Sequence, residues 1–374
     1  MSHLPSRLRK YEFIDALRGY AILGVLMVHS AEFVRPSHAF LRSKMADGSL
    51  GVQLFYIASA LTLCLSWRFR SAQEGHPTRD FYIRRFFRIA PMFYLAIVLY
   101  VLLNGFAPSY WAPNGIKWWF VVLTAGFLHG FNPETIDSVV PGGWSIAVEM
   151  SFYAVFPLLM KYIKSIKSAI LFLALSLMIW QLSILVYRQI YSNHYPADQQ
   201  YLVSSFLFQN FLGQLPVFAI GILACFIFED RTALQRRVVI LDGAFALLCL
   251  IQLIASRTRW PMHFMSNYIV VSAAFGLFAL NLAIFPVKAL VNRFIAVLGE
   301  ISFSMYLVHV AVIYLLTNIG LTALFKRGDL SSILFYLSVV AVSALLSRFT
   351  YVQIESRGIA LGKRIIQKYD PPDA

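Results

Sequence analysis

Two basic side chains stand eleven residues apart in one apolar stretch, Arg18 and His29. Eleven helical steps turn through ~1100°, about 20° from whole turns, and rise roughly 16 Å. The two groups therefore share a helix face at different depths. Asp15, three residues before Arg18, can pair with it. An ionisable group inside hydrocarbon costs about 2.5–3.5 kcal/mol even on the lenient insertion scale. Each such residue must be compensated or used. A second cluster, Arg84, Arg85 and Arg88, closes the segment Phe81-Tyr-Ile-Arg84-Arg85-Phe-Phe-Arg88. Guanidinium forks bind phosphate and pyrophosphate oxygens bidentately, and Arg84 and Arg88 share a helix face at i, i+4. Arg68, Arg70 and Arg79 read as plain topological charge.

Glu149 follows Gly142-Gly-Trp144-Ser-Ile-Ala-Val and lies inside an apolar run. It needs a cation, a histidine or a solvated cavity. Ser302, Tyr306 and His309 follow i, i+4, i+7 and form a polar stripe. Histidine suits general-base work near neutral pH, and a carboxylate partner can orient it. The other histidines fall in tails, loops or, for His129, an interfacial segment. No HxxxH, HExxH, P-loop, GxGxxG or Gly-x-Ser-x-Gly pattern occurs, so zinc, nucleotide-fold and nucleophile-elbow chemistry lack support.

These groups must be carried by membrane helices. Of 374 residues, 59% are hydrophobic and only 13% charged, about half the charge that a soluble domain uses. A soluble globular enzyme and a disordered chain are both excluded. Apolar runs at about 13–34, 49–67, 89–107, 144–160, 168–187, 204–228, 238–256, 264–286, 294–318 and 330–350 predict ten transmembrane helices. The stretch 117–131 is short and aromatic-rich, and reads as interfacial or re-entrant. With both termini cytoplasmic, the inner segments carry 22 lysines and arginines and the outer ones 9, as the positive-inside rule requires. Crossing at 117–131 would put the basic tail outside. The net charge of +14 thus reports cytoplasmic loops and not a nucleic-acid partner. Cys64, Cys225 and Cys249 lie in apolar runs without CxxC spacing, which argues against disulfides and cysteine metal sites. We expect an all-α, polytopic membrane protein with one domain over 1–374 and a retained first span. In this frame the arginines sit at the inner face, and His29, Glu149 and His309 lie toward the outer half. That sorting suits a phosphorylated donor at a basic inner mouth and acid–base chemistry deeper in.

Six segments, taken in order, resemble the acyltransferase-3 family of integral membrane acyltransferases. They are Asp15 to His29, with an arginine, ten residues and a histidine; Gly51 to Ser59; Arg84-Arg-Phe-Phe-Arg-Ile-Ala-Pro91; Trp144-Ser-Ile-Ala-Val-Glu149-Met-Ser-Phe-Tyr153; Ser302 to His309; and Tyr351-Val-Gln-Ile-Glu355. The chain departs from the family at Gln53, where aspartate is common, and at Ala60, where glycine is common. The resemblance implies acyl-CoA, usually acetyl-CoA, as cytoplasmic co-substrate, with no permanently bound cofactor. It implies a saccharide or lipid-linked glycan acceptor presented outside, in a bacterial inner membrane. It also resembles the stand-alone form without an SGNH-type outer domain.

On this reading Arg18, Arg84, Arg85 and Arg88 hold the CoA phosphates. His29 deprotonates the acceptor or itself carries the acyl group. Glu149 orients or charge-compensates His29. His309, with Ser302 and Tyr306, binds acceptor or stabilises the oxyanion, and Trp144 contacts substrate. Rival readings are a transporter or flippase of an anionic or lipid-linked sugar, and acyl transfer to a small molecule.

Overall fold

The computed structural model describes residues 11–191, 193–230, 240, 242–248, 267–324 and 328–369. Among them it is all-helical, with one isolated β-bridge between Ser109 and Ala112 and no strand. Eight helical segments are long and apolar enough to cross a membrane, and a bent pair makes a ninth. The expected span at 238–256, with Cys249, falls mostly outside the described residues.

The helices are α1 (Glu12–Phe33), α2 (Ala39–Ala46), α3 (Gly51–Arg70), α4 (Pro77–Asn104), α5 (Trp118–Ala125), α6 (Gly143–Tyr162), α7 (Ile166–Tyr191), α8 (Gln200–Gln209) and α9 (Phe211–Glu229). After these come α10 (Asn267–Ile284), α11 (Arg293–Glu300), α12 (Ser302–Asn318), α13 (Asp329–Thr350) and α14 (Ser356–Tyr369). The 22 residues of α1 rise about 33 Å, enough for a hydrocarbon layer of about 30 Å. With eight residues, or about 12 Å, α5 cannot cross.

Peripheral helices turn apolar side chains outward. Leu171, Leu175, Met178, Leu182 and Leu185 of α7 are exposed, a face that suits lipid and not water. Inside, α1 packs against α3, α11, α12 and α13, while α9 packs against α3, α6 and α7. The α1–α11 contact is close because glycines face it. A Cβ on Gly299 would stand 1.8 Å from the Asp15 carbonyl oxygen, and one on Gly19 would stand 2.3 Å from that of Ile295.

Two elements differ from the continuous runs expected. The run at 294–318 breaks into α11 and α12, bent by 76° at Ile301. Ser302 Oγ takes up the Gly299 carbonyl at the break (2.8 Å), where the helix ladder is interrupted. The last span does not stop near 350. It continues through a π turn, Tyr351–Glu355, into α14. There Gly358 and Gly362 lie against Phe87 and Pro91 of α4, the helix that carries the arginine cluster.

Candidate active site

Two cavities lie in the helix core, and they share Val52 and Tyr306 as a wall. The first, about 70 Å³, is lined by Arg18 from α1, Arg85 and Arg88 from α4, and Glu149 and Tyr153 from α6. The second, about 870 Å³, is lined by His29 and Glu32 from α1, Asp137 from the loop before α6, and Trp144.

In the arginine cavity, Arg18 reaches Asp15 at 3.4 Å and donates to Thr62 Oγ1 at 2.9 Å. The Asp15 pairing expected from their spacing is thus present but long. The Arg85 guanidinium lies 5.7 Å from the Tyr153 ring and 5.8 Å from the Phe81 ring, and its Nε has no partner. Arg88 feels the carboxylates of Glu355 and Glu149. Glu355 is buried in the π turn and accepts from Ser304 Oγ at 2.9 Å. Glu149 accepts from Ser59 Oγ at 2.6 Å and from the Tyr153 hydroxyl. Three guanidinium groups therefore converge on a small space in which two carboxylates temper their repulsion.

Arg84 is set apart from them. It makes a two-pronged ion pair with Glu74 at 2.8 and 2.9 Å, outside the cavity. The i, i+4 relation of Arg84 and Arg88 was less telling than i, i+3, which turns Arg85 and Arg88 to the same side.

In the histidine cavity, His29 Nδ1 stands 3.1 Å from Glu32 Oε2. With a carboxylate there, Nδ1 carries the hydrogen and Nε2 keeps its lone pair. Glu149 does not reach this pair: it lines the arginine cavity, on the far side of Tyr306. The carboxylate beside His29 is that of Glu32, three residues along the same helix, and not that of Glu149 as expected. The His309 ring lies 5.2 Å from that of His29. His309 Nδ1 donates to the Tyr306 carbonyl at 2.6 Å, and its buried Nε2 has no partner. Ser302 lines the arginine cavity instead of joining His309, and its hydroxyl is used on Gly299.

Tyr306 is fixed from both sides. Its hydroxyl donates to the Gly142 carbonyl at 2.8 Å and accepts from Ser145 Oγ at 2.8 Å. Gly142 has φ +77°, and a Cβ there would stand 2.8 Å from the Tyr306 hydroxyl, so glycine is required on both counts. The loop that delivers Gly142 carries two further buried titratable groups. Burial pushes His129 down to about 4, while Nε2 bonds the Gly143 carbonyl at 3.0 Å. Burial pushes the Asp137 carboxyl well up, against the opposing pull of the Gly142, Gly143 and Trp144 N–H groups.

Gln53, which stands where the family commonly has aspartate, is buried and donates to Gln214 Oε1 at 3.1 Å. Ala60 touches α9 at Gly221, where a Cβ would stand 2.6 Å from its own. Glu32 and Asp137 were not singled out by sequence, and Ser59 and Tyr153 were named only within segments of the resemblance, without a role. Glu32 and Tyr153 were within reach, at i+3 from His29 and i+4 from Glu149; a loop aspartate such as Asp137 carries no pattern. Among the described residues, no three His, Cys, Asp or Glu side chains converge as metal ligands.

The geometry offers cationic binding for an anionic group on one side of Tyr306 and a histidine–carboxylate pair on the other. Comparison with known proteins adds an independent finding. The acyltransferase-3 model, described as an acyltransferase domain, matches residues 11–352. The O-acetyltransferase OatA of Staphylococcus aureus is 21% identical over 378 residues, which cover 92% of this chain and 56% of that protein. The peptidoglycan O-acetyltransferase OatA of Listeria monocytogenes is 26% identical over 181 residues, which cover 43% of this chain and 26% of that protein. The chain spans about half the length of the Staphylococcus relative, and its match takes in about a quarter of the Listeria one. A search of solved structures found no match.

Proposed function

This chain belongs to the acyltransferase-3 family, and we propose that it moves an acetyl group from acyl-CoA to a hydroxyl of a cell-envelope saccharide. The observation that carries this reading is the pair of cavities divided by Val52 and Tyr306. One cavity is cationic, as the phosphates of a CoA donor require; the other is large and holds a base, as a hydroxyl acceptor requires.

Arg18, Arg85 and Arg88 hold the donor's phosphates from the cytoplasmic side. Arg84, held by Glu74, supports that mouth without entering it. The acyl end extends toward Tyr306. In the other cavity, Glu32 keeps the Nδ1 hydrogen of His29 in place, and His29 Nε2 takes the proton of the acceptor hydroxyl. The hydroxyl oxygen attacks the thioester carbonyl, a C–O bond forms, and the C–S bond breaks. The sulfur leaves as a thiolate and ends as the CoA thiol with the proton that His29 took up. The His309 ring lies 5.2 Å from that of His29 and helps to hold it, while the Tyr306 hydroxyl stays bonded to the Gly142 carbonyl and forms part of the wall between the two cavities.

The test uses membranes holding the full chain and radiolabelled acetyl-CoA, followed by extraction of carbohydrate. Label in an O-acetyl ester of glycan is expected, and it is lost in His29→Ala at equal protein level with CoA binding retained. Near-normal product from His29→Ala would remove the base assignment. Arg88→Ala should weaken acyl-CoA binding by roughly tenfold, as expected for loss of a charged hydrogen bond, and Arg84→Ala far less. Equal losses would return Arg84 to the donor site.

A further inference from the structure

Away from the two central cavities, α7, α8 and α10 enclose a slot of about 670 Å³. That volume lies within the range of pockets that take a ligand, roughly 300–1,000 Å³. Trp180, Ile184 and Arg188 of α7 stand at i, i+4, i+8 and share the face that lines it. Gln200, Ser204, Leu207 and Phe208 of α8 follow i, i+4, i+7, i+8 and line it too. Tyr268 of α10 closes the third side, pinned by its hydroxyl, which donates to the Gly213 carbonyl at 2.6 Å.

The slot changes character along its length. Trp180 is 3% exposed, and with Ile184, Leu207 and Tyr268 it makes an apolar, aromatic depth. Arg188 lies eight residues on, about 12 Å along the axis, in the last turn of α7, and it is exposed. Gln200 opens α8 after the short loop that follows α7; its amide donates to the Tyr195 carbonyl at 2.7 Å and keeps a second N–H. An apolar depth with one cationic end matches a molecule that has a hydrocarbon chain and an anionic head, and basic pockets between membrane helices take lipid head groups. A guanidinium fork suits a phosphate. Among the described residues no acidic group lines the slot, so nothing there would meet the ammonium of a zwitterionic head. The exposed leucines of α7 put this helix at the lipid boundary, which gives a bilayer molecule access.

We propose that this slot binds one anionic phospholipid, with its phosphate on Arg188 and the second N–H of Gln200, and a hydrocarbon chain running past Ile184 and Leu207 to Trp180. The site is separate from the arginine and histidine cavities and does not depend on the acyltransfer reading. It meets them at one ring. Phe208 lines both the slot and the histidine cavity, set between Tyr268 (5.0 Å) and Trp144 (5.7 Å). A bound chain therefore backs the wall of the histidine cavity.

The test is tryptophan quenching by lipids with brominated chains. Purified full chain is placed in phosphatidylcholine nanodiscs with rising mole fractions of brominated phosphatidylglycerol or, in parallel, of brominated phosphatidylcholine. Tryptophans at the lipid boundary, such as the exposed Trp118, meet both lipids, so the reading is the difference between the two series. Phosphatidylglycerol is expected to reach half its effect at a mole fraction about fivefold lower, the scale for one basic side chain beside anionic lipid. Trp180→Phe should remove that difference, because the quenched ring is gone. Arg188→Gln should remove it too, while Arg188→Lys keeps part of it, and acyl-CoA binding should hold in both as a sign of an intact fold. Equal quenching by the two lipids in the wild-type chain would overturn the site. A preference that survives Arg188→Gln would overturn the head-group assignment, and one that survives Trp180→Phe would place the lipid elsewhere. Loss of the preference to inorganic phosphate, but not to chloride at equal ionic strength, would mark a site for the free anion and overturn the lipid.

Discussion

At the residue scale, the chemistry rests on which carboxylate serves which cation. Glu149 belongs with the arginines, through Ser59 and Tyr153, and Glu32 belongs with His29. Glu32→Gln replaces a fixed acceptor with an amide that can offer a donor to Nδ1 and so favour the wrong tautomer. We expect kcat to fall roughly 10- to 100-fold with KM for donor unchanged, and Glu32→Asp to restore part of it. Steady-state kinetics on the three proteins decides the matter, and an equal rise in KM for donor would speak against an orienting role. His129 makes a second prediction. Its folded value of about 4 lies below the ordinary 6.5, so the folded state holds it neutral while the unfolded chain binds a proton. Its contribution is present above pH 6.5 and is lost as pH falls toward 4, by about 2–3 kcal/mol. The unfolding temperature in detergent should drop between pH 6.5 and 4.5, and His129→Phe, which keeps the ring beside Phe93, should flatten that drop.

At the element scale, glycines decide how close the helices come. The bend at Ile301 lets Gly299 meet the Asp15 carbonyl, and that contact sets the end of α1 that bears Arg18. Gly299→Ala puts a methyl group where the Asp15 oxygen already lies, so α1 and α11 must part. Overpacking of this kind costs typically 1–3 kcal/mol. The expected result is weaker acyl-CoA binding and a lower unfolding temperature, both read on purified protein. Normal donor affinity would mean that Arg18 is not set by this contact. The π turn acts in the same way at the other end of the chain. Its extra residue per turn re-aims Glu355 toward Ser304 and Arg88, and such bulges often mark functional sites. Hydrophobic runs report where a helix is apolar; they carry no mark of a bend at Ile301 or a widened turn at Tyr351.

At the scale of the whole molecule, the arrangement predicts sidedness. Arg18 and His29 lie about 16 Å apart along α1, on opposite sides of the wall made by Val52 and Tyr306. If both termini face the cytoplasm, sealed inside-out vesicles should use added acetyl-CoA and right-side-out vesicles should not. A single-cysteine label placed beyond α14 should react only where acetyl-CoA is used, and opposite results would invert the topology. The sequence alone determined that this is a helical membrane protein with apolar spans, a short aromatic-rich segment at 117–131 that reads as interfacial or re-entrant, and Arg18 and His29 on one helix face. These features are local, set by composition and by the period of 3.6, so they survive without knowledge of neighbours. Helical spacing likewise placed Asp15 beside Arg18. Only the tertiary structure decided that Arg84 is taken by Glu74, that Glu149 faces arginines and not His29, and that Asp137 looks into the larger cavity. Those pairings join residues from different helices or loops, and partner choice among several carboxylates depends on distances that no spacing along the chain encodes.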